Sequence, residues 1–521
     1  MNLLDLAPEL LDEIITWCMP LGFESFALSC KTVYSYCKHK IILHNTLRKR
    51  WRRVTNRFPG RADILHILHE IAKEPLIARY ITSISLWELR GQIQKDKNGL
   101  GADLRNDAIA MQRTKDLILS SELPRYLKEA NIEPEEWWTQ FLVHHPWDNV
   151  KDSGDPSGIT GNEPYLFLSL LFLLPNLQSL TPSPNWGQLD WGTEDCHEYQ
   201  LPLLSVLDAF VRVSGKAQYM GQPLTNLKTI YPCRRQGCHI RMPLRNIQWF
   251  LQILSVMTVY ATSCLGVDDG ITGIPFSWHT ESISSNVTRI KLAFCCMDED
   301  NISKLLCNTP QLQIFKYGHE CKWYDCEYEW DAGSFVTAIA RRCGQTITEL
   351  AITCHCVDYI KNGVTTFNNF PKLKKLEVDI IALCGPPEES GQVHGEMVEL
   401  PDGVKKWEVD ELPCLATMLP ASLESLEVNI DFTDREETAL KALLEGFREQ
   451  WVARLPELKK ILFRQPNIDT ARKLVEDAGC EIEAWNSAFG SQRIRMPLWI
   501  REFEEKAGVN YTNRSVPSST V

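Results

Sequence analysis

The amino-acid sequence predicts an α/β protein in which an N-terminal unit of three helices precedes an irregular solenoid with a curved parallel sheet. Three observations carry this prediction. The first 45 residues have apolar residues at helical spacing, a short apolar pattern typical of strands recurs from about residue 80, and helical patterns lie between several of its copies. Strands that alternate with helices along a chain are typical of a parallel sheet.

The N-terminal unit begins with an amphipathic helix. Pro8 suits the first helical turn, where its missing N–H costs nothing, and Pro20 and Gly22 end the helix. Leu10, Leu11, Ile14, Ile15 and Cys18 fall at helical spacing on one face of this helix. A second helix is expected to bury Phe23, Ala27 and Leu28, and a third to bury Val33 with Tyr36 or Cys37. A core this small gives little stability alone, so we expect the unit to dock its apolar face on a partner.

A two-part motif lies within residues 3–45. Its residues are Leu6, Pro8, Glu9, Leu10 and Ile14 in the first half, and Leu28, Cys30, Lys31 and Val33 in the second. The segment resembles an F-box, the adaptor-binding module of SCF-type ubiquitin ligases, although Ala7 separates Leu6 from Pro8. The resemblance implies that residues 1–45 bind a Skp-type adaptor through Leu6, Pro8, Glu9, Leu10, Ile14, Leu28 and Val33. The alternative is an ordinary N-terminal cap of three helices.

Residues 46–80 are predicted to form a helical linker. Leu43, Leu47, Trp51, Val54 and Phe58 make one apolar stripe at helical spacing. The basic residues between them are then the solvent face of the linker rather than a nucleic-acid patch.

Residues 81–507 carry a repeated strand pattern: an apolar residue, two others, an apolar residue, one other, an apolar residue. The copies begin at Ile81, Leu177, Leu227, Val287, Leu312, Ile347, Leu373, Leu423 and Leu458, two of them lacking the third position. The pattern resembles the strand portion of a leucine-rich repeat without its usual asparagine. Together with the N-terminal motif it resembles fungal F-box proteins with degenerate leucine-rich repeats, which implies a substrate-binding solenoid.

Helices are expected between these strands. Thr433 to Glu436 forms a plausible capping box, Ser334 is the predicted cap of a helix that Gly344 ends, and Asn467 or Asp469 is the predicted cap of another. Residues 91–107, 148–164 and 385–412 have the composition of insertions or loops, and the tail 508–521 that of a disordered segment.

Composition excludes several classes of function. With 55 basic and 67 acidic residues the net charge is −12, which argues against general binding to nucleic acid or to an anionic membrane. Acidic residues interrupt any N-terminal signal peptide, and the longest apolar run, from Tyr165 to Leu174, is half the length of a spanning helix. Eighteen cysteines without a secretory signal indicate reduced thiols, so we expect a cytoplasmic or nuclear location and no membrane association.

Motifs for catalysis or for cofactor binding are not found in the sequence. Cys233 with Cys238 and His239, Cys321 with Cys326, and Cys354 with His355 and Cys356 lack the Cys-x2-Cys pairs of structural zinc sites. We therefore expect no metal, no cofactor and no catalytic residue, although a catalytic cysteine paired with a distant histidine stays open.

Two loops that follow strands are candidates for substrate binding. One gathers Arg234, Arg235, Arg241 and Arg245, and the other contains Trp323, Tyr324 and Trp330. Arginine suits carboxylates and phosphates, and large aromatic residues are common binding anchors. The alternative is that both are solvated or internally packed loops.

The resemblance implies a non-enzymatic substrate receptor of an SCF-type ubiquitin ligase. Its partners would be a Skp-type adaptor, through it a cullin-RING assembly, and an unknown protein substrate. The alternatives are an interaction scaffold outside ubiquitin transfer and a cryptic hydrolase that uses cysteine and histidine.

Overall fold

The structure is a computed structural model. It describes residues 6–55, 64–86, 106–142, 163–182, 194–214, 223–232, 242–268, 273–278, 284–322, 329–355, 360–393, 405–430, 434–465, 469–484 and 497–507. The chain divides into two compact units, Met1–Cys233 and Arg234–Val521, which are described in turn. Within the described residues, no helix has the length and apolar character needed to cross a membrane.

The described residues of the first unit are largely helical and include four short parallel strands. Its helices are α1 (Pro8–Cys18), α2 (Phe23–Ala27), α3 (Lys31–Trp51), α4 (Ile64–Lys73), α5 (Leu76–Tyr80), α6 (Ala108–Leu119), α7 (Leu123–Glu129), α8 (Pro134–Leu142), α9 (Glu163–Leu171) and α10 (Glu194–Ser214). Its strands are β1 (Arg53–Thr55), β2 (Ser83–Ser85), β3 (Ser179–Thr181) and β4 (Thr229–Ile230). They pair in chain order, with Val54 opposite Ile84, Ile84 opposite Leu180, and Leu180 opposite Ile230.

The second unit is built on a longer parallel sheet. Its strands are β5 (Met242–Pro243), β6 (Thr258–Thr262), β7 (Cys264–Gly266), β8 (Arg289–Met297), β9 (Ile314–Glu320), β10 (Glu349–His355), β11 (Lys375–Asp379), β12 (Ser425–Asn429), β13 (Lys460–Gln465) and β14 (Glu481–Ala484). Its helices are α11 (Gln248–Leu251), α12 (Glu299–Leu306), α13 (Ala332–Cys343), α14 (Leu415–Met418), α15 (Asp434–Leu444), α16 (Phe447–Arg454), α17 (Asp469–Asp477) and α18 (Leu498–Ala507). Strands β6 and β8 to β14 follow one another across the sheet, and β5 and β7 form a parallel extension beside β8.

The sequence repeat sets the register of this sheet. The middle apolar residue of each copy lies opposite the middle residue of the next, as Leu350 does opposite Phe315, Leu376 opposite Leu350, and Leu426 opposite Leu376. These residues are buried, because alternate strand residues face opposite sides and the pattern places the apolar ones on one side. The predicted α/β class with parallel strands is confirmed.

Three local predictions need correction. Val54 belongs to strand β1 rather than to a helix that runs through Phe58, because a β-branched residue there pairs with β2. Asp331 rather than Ser334 caps α13, since its carboxylate accepts the Ser334 N–H at 2.8 Å. Residues 388–390 and 409–411 form short 3₁₀ helices within the loop predicted at 385–412. The loops at 91–107 and 148–164 lie mostly outside the described residues, as does the whole tail 508–521.

Candidate protein-binding surface on the N-terminal helices

The three N-terminal helices share a small apolar core. Its members are Leu11 and Ile15 from α1, Phe23 and Ala27 from α2, and Val33 and Cys37 from α3, all of them buried. Val33 is therefore a residue that holds the helices together, and it offers no surface to a partner in this conformation.

A second set of apolar side chains on the same helices is exposed to solvent. The exposed fractions are 49% for Leu10, 69% for Trp17, 71% for Leu21, 75% for Leu28, 46% for Tyr34, 41% for Tyr36 and 76% for Ile42. Pro8 and Glu9 are exposed as well, whereas Leu6 and Ile14 are partly buried. Exposed large apolar side chains in such number on three helices make these helices a candidate binding surface.

Helix α1 shows how these two sets arise. Leu11 and Ile15 are four residues apart on its buried face. Leu10, Ile14 and Trp17 stand at i, i+4 and i+7, which makes a second stripe beside the first. Only the first stripe is covered by α2 and α3. The predicted burial of Leu28 by the second helix is thus wrong, since this leucine faces solvent.

Ion pairs and one aromatic contact fix the orientation of α1. The Asp12 carboxylate lies 2.9 Å from His39 Nε2 and 3.2 Å from Lys40 Nζ, which ties α1 to α3. At the far end of α1, Arg79 donates a 2.7 Å hydrogen bond to the Trp17 carbonyl oxygen, and its guanidinium carbon lies 5.6 Å from the Trp17 ring centroid. Helix α5, which carries Arg79, thereby holds the exposed stripe in one orientation.

A buried histidine joins α3 to α5. His44 Nδ1 lies 2.7 Å from the Tyr80 hydroxyl oxygen, and its ring stacks on Phe23 at 4.6 Å. Burial lowers the pKa of His44, so the ring is neutral at physiological pH. The F-box-like segment is thus joined to the elements that follow it by a specific buried contact.

Replacement of Tyr80 by phenylalanine should destabilise the first unit. The change leaves His44 Nδ1 buried without its partner, and an unsatisfied buried polar group costs about 1–3 kcal/mol. Urea unfolding of the whole chain, followed by a signal from residues 6–86, measures this loss. Tyr34→Phe is the matched control, because Tyr34 is 46% exposed and its substitution should change the free energy of unfolding by less than about 0.5 kcal/mol. Equal effects of the two changes would contradict the role given to Tyr80.

The predicted substrate-binding residues are only partly described. Arg234, Arg235, Arg241, Trp323 and Tyr324 lie outside the described residues. Arg245 is in a short 3₁₀ helix, Leu244–Ile247, where burial lowers the pKa of its guanidinium. Trp330 is a core residue that is 1% exposed and packs against Tyr317 and Phe335, so it offers no surface for a partner to contact.

A buried polar group lies at the carboxyl end of β9, beside Trp330. His319 stacks on the Trp330 ring with centroids 4.4 Å apart, and its Nδ1 lies 2.9 Å from the Tyr317 hydroxyl oxygen. Lys322 donates 2.7 Å hydrogen bonds to the Glu320 carboxylate and to the Phe294 carbonyl oxygen. Phe294 has a φ of +57°, a strained backbone conformation that the Lys322 hydrogen bond helps to hold.

Burial raises the pKa of several cysteine thiols, which favours the protonated form at neutral pH. Burial raises the pKa of Cys343 to about 11 and that of Cys480 to about 12, and it also raises the pKa of Cys37 and Cys414. A nucleophilic cysteine needs a lowered pKa. These four residues are therefore poor candidates for the nucleophile of a hydrolase.

We expect purified protein to contain no stoichiometric zinc. Within the described part of the chain, no three His, Cys, Asp or Glu side chains are grouped closely enough to hold a metal ion, whereas Cys233, Cys238, His239, Cys326 and Cys356 lie outside it. Elemental analysis and thermal melting with and without chelator check the prediction. One tightly held zinc per chain would overturn it.

Two kinds of residue were not predicted from the sequence, exposed apolar side chains on the N-terminal helices and a buried carboxylate on the sheet. Trp17, Tyr34 and Ile42 are exposed apolar residues on α1 and α3 outside the buried positions of these helices. Their apolar character at positions that the core does not use was the available indication. Glu377, on β11, alternates with Leu376 and Val378, and a buried carboxylate at that position has no sequence signature.

Comparison with known proteins gives no assignment. No protein-family model matches the chain, and no curated protein matches it.

Proposed function

We propose that this chain is the substrate-receptor subunit of an SCF-type ubiquitin ligase. The observation that carries the proposal is the exposure of Pro8, Leu10 and Leu28 on a three-helix segment whose core is supplied by other residues. These three positions belong to the F-box-like motif. Their apolar side chains are not part of the buried core of the segment, which is expected of residues that a Skp-type adaptor covers.

The parallel sheet supports the second half of the proposal. A row of in-register strands, each bearing the same apolar pattern, resembles a leucine-rich-repeat solenoid with irregular connections. Such a solenoid presents one side of its strands as an extended binding surface. The substrate would bind the repeat region while the adaptor holds the N-terminal helices.

The receptor would act by proximity and would need no catalytic residue of its own. Through the adaptor, a cullin-RING assembly would bring the charged ubiquitin-conjugating enzyme near the bound substrate. Holding a lysine and a thioester together converts a bimolecular step into a nearly unimolecular one. The buried His44–Tyr80 contact would serve this purpose, because a loose joint behind the adaptor-binding helices dilutes the effective concentration.

Reconstitution tests the proposal in two stages. The chain of residues 1–521 is first mixed with a Skp-type adaptor, and a stable complex is expected in size-exclusion chromatography. Addition of the cullin, the RING subunit and charged conjugating enzyme should then give ubiquitin on lysines of the receptor or of a captured partner. Failure to bind the adaptor would refute the proposal. Binding without transfer would favour the interaction scaffold instead.

A further inference from the structure

Residues at the start of strands β8 to β13 form a row along one face of the sheet in the second unit. In each copy of the apolar pattern, two residues lie between the first and second apolar positions, as Lys374 and Lys375 do in the copy that begins at Leu373. Neighbouring copies are in register, with Lys375 opposite Ser425, so these pairs stand side by side at a spacing of about 5 Å. We call them the strand-start row, which consists of residues 288–289, 313–314, 348–349, 374–375, 424–425 and 459–460.

The strand-start row is basic, although the chain as a whole is acidic. Of its twelve residues, five are basic and two are acidic, whereas the whole chain has a net charge of −12. The basic residues, all exposed to solvent, are Arg289, Lys374, Lys375, Lys459 and Lys460. A row with this excess of exposed basic side chains produces a local positive potential, which attracts anionic groups.

The other half of the same face is covered by α18. Trp499 of this helix donates a 3.2 Å hydrogen bond from its indole N–H to the Thr353 hydroxyl of β10. Thr353 lies four residues beyond Glu349 on the same strand, and therefore on the same side of the sheet, because alternate strand residues share a side. Helix α18 thus packs on the carboxyl-terminal half of this face, whereas the basic residues at the strand starts are exposed.

Glu424 shows how the strand-start row affects a carboxyl group. Its carboxylate lies 2.9 Å from Lys374 Nζ. The hydrogen bond and the charge of Lys374 lower the pKa of Glu424, and the charges of Lys459 and Lys375 lower it further. The row therefore stabilises the charged form of a carboxyl group, and an acidic side chain from a partner would be stabilised in the same way.

We propose that the strand-start row binds an extended acidic segment of a partner protein, whose Asp and Glu side chains pair with the exposed lysines. The lysine pairs 374–375 and 459–460 are two strands apart. That separation is about 10 Å, which about three residues of extended chain span. Ile314, partly buried in the same row, offers an apolar contact to such a segment.

A peptide fits this row better than a nucleic acid does. Glu349 and Glu424 interrupt the basic residues, and they would repel the continuous phosphate backbone of a nucleic acid. A peptide places uncharged residues opposite these two carboxylates. The inference deepens the proposed function, because the identification of the partner as the ubiquitination substrate rests on that function. The binding itself requires neither the adaptor nor ubiquitin transfer.

Fluorescence anisotropy with the chain of residues 1–521 tests the inference. The probe is the fluorescein-labelled peptide Glu-Glu-Leu-Glu-Glu-Gly-Glu-Glu, whose acidic pairs are three residues apart, and the control peptide has glutamine at every glutamate. At low salt the acidic peptide should bind at least about tenfold more tightly than the glutamine peptide, and added salt should reduce this difference.

Charge reversal locates the binding to the strand-start row. The Lys375→Glu, Lys460→Glu chain should lose at least about fivefold in affinity for the acidic peptide at low salt. The matched control is Lys304→Glu with Arg341→Glu, which makes the same change in net charge at exposed positions on α12 and α13. It should retain the affinity of the parent chain, and circular dichroism establishes that each variant is folded.

Neutralisation of Glu349 should have the opposite effect. Its carboxylate lies 3.7 Å from Lys316 Nζ and 3.5 Å from Lys375 Nζ, so Glu349→Gln leaves both lysines available to the peptide. The variant should bind the acidic peptide at least about twofold more tightly than the parent. Glu411→Gln, which removes the partner of Lys405 outside the row, should leave the affinity unchanged.

Three results would overturn the inference. The first is equal affinity of the parent and the folded Lys375→Glu, Lys460→Glu chain, or an equal loss in the Lys304→Glu, Arg341→Glu control. The second is unchanged or weaker peptide binding by Glu349→Gln. The third is tighter binding of single-stranded DNA of matched length, which would assign the row to nucleic acid. All of these measurements omit the adaptor, so their failure is distinct from a failure of the proposed function.

Discussion

Alanine at both Leu10 and Leu28 should lower the affinity for a Skp-type adaptor by more than about a hundredfold. Each leucine is exposed in the isolated chain, and the proposed complex would bury it. Burial of one such side chain stabilises by about 1.5–3 kcal/mol, and every 1.4 kcal/mol is a factor of ten in the dissociation constant. Titration of labelled adaptor with the parent and the double variant measures the difference.

The double variant should fold as the parent does. Substitutions at exposed positions usually change the free energy of unfolding by less than about 0.5 kcal/mol, and neither leucine belongs to the buried core. Val452→Ala is the control for a general loss of exposed apolar area, because Val452 is 80% exposed on α16. Leu11→Ala is the control for loss of fold, since it removes a buried side chain and should cost about 2–5 kcal/mol. Undiminished adaptor binding by the folded Leu10→Ala, Leu28→Ala protein would remove the support for the F-box assignment.

The strands were largely predictable because their apolar pattern has one cause. Each middle apolar residue must face the buried side and lie beside its neighbour, so the same spacing returns in every unit. Strand β6 has the same pattern, with Val256, Val259 and Ala261, but it was missed because alanine is a weak indicator of a strand. β1 was missed for another reason: pairing with β2 overrides a helical periodicity that continues from α3.

The candidate site was only half predictable. Periodicity identifies apolar stripes on α1, but two adjacent stripes of similar character exist, and the sequence does not say which one α2 and α3 cover. In the structure, Leu11 and Ile15 are buried, whereas Leu10 is exposed to solvent. Trp330 was predicted to be an exposed binding anchor, but it is a core residue that stacks on His319. The sequence around an aromatic residue near a loop does not distinguish these two roles.

Contacts between residues far apart in the sequence could not be predicted from sequence patterns. Glu377 and Trp499 are joined by a hydrogen bond across more than a hundred residues. Neither residue is part of a motif, and the pairing depends on where α18 meets the sheet. Glu377 is buried beside Arg464 and Asn429 as well as beside the first turn of α18, and none of these neighbours is close to it in sequence.

The stability of the second unit should fall as the pH decreases below about 6.5, and His319 should be a main cause. Burial, with a smaller contribution from the nearby Lys322 ammonium group, lowers the pKa of His319 to about 3. An unfolded histidine has a pKa of about 6.5. Between these values the unfolded chain binds a proton that the native chain does not, so protonation favours unfolding. The native state has its full stability above pH 6.5 and loses it progressively toward pH 3.

The expected size of this loss is about 1.4 kcal/mol per pH unit for one proton, or about 2 kcal/mol between pH 6.5 and pH 5. Native-state hydrogen exchange of β9 and β10 at several pH values measures it within the second unit. His319→Phe should reduce the slope of the free energy of unfolding against pH by the amount that corresponds to about one proton. The variant retains a ring to stack on Trp330, and the Tyr317 hydroxyl still donates to the Cys295 carbonyl oxygen and accepts the Met297 N–H.

The slope, rather than the absolute stability, isolates His319. Replacement of a buried imidazole changes packing as well as charge, but a packing defect shifts the free energy of unfolding equally at every pH. Other buried histidines, such as His44, are present in both proteins, so their contribution cancels in the difference. His39→Gln is the matched control, because His39 is exposed and should leave the slope of the second unit unchanged. If His319→Phe and the parent lose stability at the same rate between pH 6.5 and pH 5, His319 is protonated in the native state, and its burial beside Lys322 does not hold it neutral.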